Sequence, residues 1–276
     1  MIDRKTLESF VDMKEQEEII KNVIVSSLDS PLSLLSFVHH YISWNGYFGS
    51  GVATLSGKIG RSRNIFRDRD DFIATSDRSV LIASYVFDAA RDEFNDKSTS
   101  WRDTHRCLAQ AFLKGCHNFF KSEIEVPNQI YNEPFWLRGL NARVAQGYGA
   151  YSPDTPLHIF HAMGYHLGSE FLADKEFSII DQKLCSSYPE LISYLDKNNF
   201  QIGESQHNGY TWLHTHSGHG HAVEADHFDA AIAGVQFAYK YIDPIIEEEM
   251  DYHLRQGFLL FARDHQDFFS CINNRG

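Results

Sequence analysis

The chain is short of the features that staple, interrupt or anchor a fold. Its 276 residues include only four cysteines, Cys107, Cys116, Cys185 and Cys271, and none forms a Cys-x-x-Cys pair. So few unpatterned thiols exclude a disulfide framework and lead us to expect free cysteines in a cytoplasmic protein. Seven scattered prolines and the lack of a Gly/Ser-rich tract leave nothing that reads as a linker, so one domain over residues 1–276 is expected. Basic residues are few: 25 Lys and Arg against 37 Asp and Glu give a formal net charge of −12. That excess disfavours nucleic acid or an anionic membrane as partner, because both demand basic patches. No apolar run reaches membrane-spanning length and the opening MIDRKTLESFVDMKEQEEII is too polar for a signal peptide, so no membrane insertion is expected. The one basic cluster, Lys58, Arg61, Arg63, Arg67 and Arg69, is broken by Asp68, Asp70 and Asp71. It reads as a salt-bridged surface segment, or else as a clamp for a substrate carboxylate.

Strand-type alternation is scarce too, while helical periodicity is plentiful. Helices are expected over residues 4–27, 31–44 (Ser30 ahead of Pro31), 77–94, 103–120, 133–147, 156–184, 187–198, 222–241 and 244–271. Residues 45–58 and their surroundings carry Gly46, Gly49, Gly51, Gly57 and Gly60, and read as a loop or broken helix that would serve as a lid. Some eight helices with short connections make an all-α bundle, with N-terminal helices and the Gly-rich stretch in residues 1–74 and a core in residues 75–245.

The chain is rich in histidine, with fifteen, and five of them stand in TWLHTHSGHGHAVEADHFDAA: His214, His216, His219, His221 and His227, among Glu224, Asp226 and Asp229. At about 100° per residue, Glu224 and His227 share a helix face and His221 flanks Glu224. Such spacings aim carboxylate and imidazole at one metal. Val223, Phe228, Ile232 and Val235 mark the helix as a core element rather than a polar surface. Not all five histidines can be ligands. A second segment offers His161, His166, Glu170 and Glu176; Glu170 lies among Met163, Leu167, Phe171 and Ala173 and should be buried, whereas Asp174 and Glu176 read as exposed. A buried carboxylate needs a cation, an arginine or a place at a rim. In the third segment Glu93 ends one helix and His105 begins the next; alone, Glu93 would read as a solvated helix end. Asp103, Gln110 and His117 rank lower as interior groups. The aromatic stretches from Phe37 to Phe48 and at Phe135-Trp136 are core, or else line a pocket.

These pieces, Asp92-Glu93-Phe94-x-Asp96, then His105-x-x-Leu108-Ala109-x-x-x-Leu113, then Gly164 with Ser169-Glu170, then Glu224-x-Asp226-His227, occur in an order that resembles the haem-oxygenase-like di-iron oxidases and oxygenases over roughly residues 75–245. Within that superfamily the resemblance is to a bacterial group of iron-containing redox enzymes. It implies a haem-oxygenase-like helical bundle holding one or two Fe(II) ions, with O2 as co-substrate and a small fatty-acid or amino-acid-like substrate, in a possible homodimer. Matched position by position, the implied metal ligands are Glu93, His105, Glu170, Glu224 and His227. The family's His-x-x-x-[Asp/Glu]-x-x-His motif puts its first histidine on Gly220, which cannot ligate. His221 takes that place by a local shift, or His216 or His219 does, or the second iron is weakly held. Imidazole and carboxylate ligands without thiolate suit iron or manganese, and zinc also accepts them. The other readings are a metal-free thiaminase-like or cofactor-maturation enzyme of the same fold, and a non-catalytic helical binding protein with a degenerate metal site.

Overall fold

Short polar residues start several of the helices, each accepting a hydrogen bond from the first turn. In the computed structural model, which describes residues 2–68, 78–95, 103–217 and 223–273 (side chains of 128, 129, 174, 223–225 and 273 excepted), Asp3 caps α1 (Arg4–Glu8) and Asp12 caps α2 (Met13–Ser27). Ser30 caps α3 (Pro31–Asn45), whose first residue is the proline, as the sequence leads one to expect. The chain continues through α4 (Phe48–Arg61), α5 (Arg78–Phe94) and α6 (His105–Phe120), the last capped by Thr104. A 3₁₀ turn then precedes α7 (Phe135–Gly147) and the 32-residue α8 (Pro156–Ser187). After α9 (Pro189–Lys197) comes a hairpin of β1 (Asn199–Ile202) and β2 (Ser205–Asn208), then α10 (Thr211–His216), α11 (Val223–Tyr241) and α12 (Glu247–Asn273). The described residues are predominantly helical, and no helix among them is long and apolar enough to cross a membrane.

Helix α8 is the axis of the packing, laid along α12 and flanked by α2, α4 and α11. Glycine makes that approach possible. A Cβ at Gly164 would stand 1.9 Å from the Leu254 carbonyl oxygen, and one at Gly257 would stand 1.8 Å from that of His161, so the two backbones touch where the helices cross. Trp44 of α3 stacks on Phe268 of α12 at 5.1 Å between ring centroids, and Tyr41 meets Phe177 and Trp212. An aromatic core of this kind ties α3 to the α8–α12 pair.

Several expectations need correcting. The first helix is two, because Ser9 to Asp12 break the pattern and Asp12 restarts it. The Gly-rich stretch is not a lid but helix α4. Two of its glycines lie at close packing contacts, where a Cβ at Gly51 would stand 2.3 Å from the Tyr148 ring and one at Gly49 would stand 2.9 Å from Cβ of Glu93. A hairpin, turned at Gly203 with φ +58°, follows α9 where a simple turn was expected. In the basic segment, Lys58 is 2% exposed and reaches Asp154 at 2.6 Å; Arg61 bonds the same carboxylate and Arg78 bonds Asp68 at 2.5 Å. These cations are engaged structurally, while Arg69, Asp70 and Asp71 lie outside the described residues. All four cysteines are free.

Candidate metal centre

Five helices bring their chemistry to one end of the bundle. Helix α5 delivers Asp92 and Glu93, and α6 delivers His105 in its first turn. Helix α8 contributes His166 and Glu170, α10 contributes His216, and α11 contributes His227. The hairpin positions two of these. His207 of β2 lies 3.0 Å from Asp103, just ahead of α6, and the Asn208 side chain accepts from the backbone of Tyr210 and Thr211 to launch α10. Asp103 is thus a strut rather than an interior ligand.

The side chains form one connected cluster. His105 Nδ1 lies 3.1 Å from Glu93 Oε1 and 3.3 Å from His216 Nε2. His227 Nε2 is 3.2 Å from Asp92 Oδ2, and its Nδ1 is 3.8 Å from Glu170 Oε2. His166 Nδ1 is 3.3 Å from Glu170 Oε1, one turn away on α8. All but Glu93 are buried, and Glu93 is half-buried. Of the residues singled out from sequence, Glu93, His105, Glu170, His227 and, among the contenders for the last position, His216 come together here. His219 and His221 lie outside the described residues, as does the side chain of Glu224, whose backbone is in the first turn of α11.

Asp92 was not weighed from sequence, and His166 was offered there but not carried into the ligand set. Asp92, 1% exposed, hid in the polar run Arg91-Asp92-Glu93. His166 carried a usable signal, being four residues before Glu170 on the same helix face. Glu176 also departs from expectation: it is 4% exposed and faces His265 of α12. His161 stands apart, near His158 and His253, and His117 packs against Tyr131.

The electrostatics follow from burial with like groups crowded together. Burial and then the Glu93 charge push the Glu170 carboxyl up to about 8. Burial acts upward on Glu93 as well, but the facing imidazoles, His105 foremost, outweigh it and hold this carboxyl below its ordinary value. Burial keeps His166 down at about 3, with His227 adding to the effect, and His216 at about 4, with His105 adding. Both imidazoles are therefore neutral at pH 7, the form that ligates metal.

Among the described residues no three His, Cys, Asp or Glu side chains are arranged so as to hold a metal ion, and the donors pair with one another. The donor set nevertheless suits a cation in three respects. His216 Nδ1 gives its proton to the Trp212 carbonyl at 2.6 Å, which leaves Nε2 as the lone-pair nitrogen, the way ligating histidines are usually held. Neither ring nitrogen of His166 makes a hydrogen bond although both are buried, nor does His227 Nε2. Two carboxylates, Glu93 and Glu170, repel across the cluster, a conflict that a cation would resolve.

The cluster opens onto a cavity of about 300 Å³ walled chiefly by Trp44, Phe48, Val52, Phe177, Trp212 and Phe261. Phe48 and Trp44 were among the aromatics weighed as pocket or core; Phe135, 85% exposed, is neither. A search of family models, curated proteins and solved structures gives no match to this chain.

Proposed function

We propose that this chain is an iron-dependent oxidase or oxygenase that activates O2 at a carboxylate–histidine centre and oxidises a small molecule held in the adjoining cavity. The observation that supports this most is the meeting of Glu93, His105, Glu170, His216 and His227, from separate helices, at a buried point beside an apolar chamber. Those five would hold the metal, with Glu224 of α11 as a further candidate by sequence and His166 as the alternative on α8. Ferrous iron, when bound, supplies electrons and open coordination positions to dioxygen. The rest falls to the chain. Asp92 lies beside His227, the Trp212 carbonyl fixes the His216 tautomer, and the aromatic walls keep water from the reacting atoms.

Anaerobic loading with ferrous iron, followed by metal analysis and then oxygen-uptake measurement, tests the reading. The wild type is expected to retain one or two ions per chain and to consume O2 on exposure to air. Glu170→Ala should lose most of the metal, by an order of magnitude or more in affinity. If candidate substrates fail to elicit any iron binding, or if Glu170→Ala binds as the wild type does, the reading is wrong.

A metal-free acid–base enzyme is the second reading, favoured by the mutual pairing of the donors among the described residues. Full turnover in strong chelator would establish it. No cysteine is among the residues lining the cavity, which counts against thiol chemistry of the thiaminase kind.

A further inference from the structure

The cavity has a second polar wall that the cluster does not use. Glu176 lines it from α8, six residues beyond Glu170, and is 4% exposed. Its Oε2 lies 2.7 Å from Nε2 of His265, which is 1% exposed and set against the rings of Phe261 and Phe269. A carboxylate only accepts, so the imidazole Nε2 carries the proton. Its Nδ1 is buried and makes no hydrogen bond. A carboxylate has about four acceptor sites, and the bond from His265 fills one of them. Among the described residues no lysine or arginine bonds it. Arg106, the arginine that lines the cavity, is exposed and donates to the Ile42 carbonyl at 2.6 Å.

We propose that Glu176, held in place by His265, binds the ammonium group of the substrate, so that this cavity takes alkyl amines. The inference rests on reading the cavity as the substrate chamber. The ammonium would bring a cation and further donors to Glu176, while the alkyl chain lies against Trp44, Phe48, Phe177 and Trp212. Six residues of helix separate Glu176 from Glu170 by about 9 Å along the axis. That distance makes the amine an anchor, held several bonds away from the carbon that faces the cluster.

Trp44 and Trp212 sit in the cavity wall, so intrinsic fluorescence reports occupancy without any turnover. Full-length protein, with and without ferrous iron, is titrated with n-hexylamine, n-hexanol and hexanoate. The expected result is that hexylamine binds about tenfold or more tightly than the other two, and that Glu176→Gln erases this preference while leaving hexanol binding unchanged. Thermal melting checks that the variant is folded. Should it not fold, Ala173→Leu, which narrows the wall beside Glu176 and leaves the pair intact, is expected to weaken all three probes in parallel. Equal binding of the three probes to wild type overturns the proposal, as does an amine preference that survives Glu176→Gln or is lost instead in Glu93→Gln. Its fate is separable from that of the iron centre. Amine preference retained by protein that binds no iron, Glu170→Ala included, upholds Glu176 and sinks the metal reading; stoichiometric iron without amine preference does the reverse.

Discussion

Glu170 shows how one residue can be both a liability and a site. Flanked by Leu167 and Phe171 and facing the Glu93 charge, its carboxyl is raised from 4.5 to about 8. A folded pKa above the unfolded one means that the native state holds the proton more tightly. The associated stability is then fully present below about pH 4.5 and is lost as pH rises through about 8. Each pKa unit corresponds to about 1.4 kcal/mol, so the total reaches a few kcal/mol. For the iron-free protein, thermal melting between pH 5 and 9 should therefore show Glu170→Gln gaining on the wild type as pH rises. Parallel curves for the two proteins would mean that Glu170 is not buried against a second charge. The burial of Glu170 was legible in the sequence, because apolar residues surround it at helical spacing. That of Asp92 and Glu176 was not, since their partners, His227 and His265, lie on helices far away along the chain and no local pattern encodes such a meeting.

At the scale of elements, the crossing of α8 and α12 fixes where the α8 side chains point, and two glycines set its depth. Gly164→Ala or Gly257→Ala would force a methyl against a backbone carbonyl, which cannot swing aside as a side chain can. Either substitution should destabilise by about 1–3 kcal/mol or more and weaken iron loading with it. Gly139, exposed on α7 with nothing within 4 Å of where an added methyl would stand, is the control: Gly139→Ala should stabilise by about 0.5–1 kcal/mol, as chemical denaturation will read. The same contrast explains what could be read from the sequence at this scale. Helices such as α3, α5 and α6 announced themselves through helical spacing, and α3 through its Ser30 cap as well. Helix α4 did not, because glycine spacing looks alike whether it marks a loop or a close contact, and only the Tyr148 ring and Glu93 decide between them. The short hairpin carries too few residues for alternation to register, yet it holds Asp103 and launches α10, and so brings His216 to the cluster.

For the molecule as a whole, the histidines set a lower limit to the pH at which the fold persists. Burial depresses His40 to about 4, His166 to about 3 and His216 to about 4, with neighbouring imidazoles adding to each. In the unfolded chain these rings titrate near 6.5. A depressed folded value means that the native state binds fewer protons than the unfolded one. Stability is therefore intact above about pH 6.5 and drains as pH falls toward 4. Glu170 acts in the opposite sense, because across this window the native carboxyl holds a proton that the unfolded one lacks, which offsets about one proton of the uptake. The imidazoles thus dominate between pH 6.5 and about 5. The melting temperature should fall over that interval, with a slope that grows to a net uptake of about one to two protons on unfolding near pH 5. His216→Gln keeps a polar side chain at the Trp212 carbonyl while removing one titration, and should flatten the slope by about one proton. Bound iron would deepen the dependence, because protons then compete with the metal for His216 and His227 as well as with the fold. A melting temperature that stays level from pH 6.5 to 5 would show that these rings are reached by water and that the cluster is not the dry, neutral site described above.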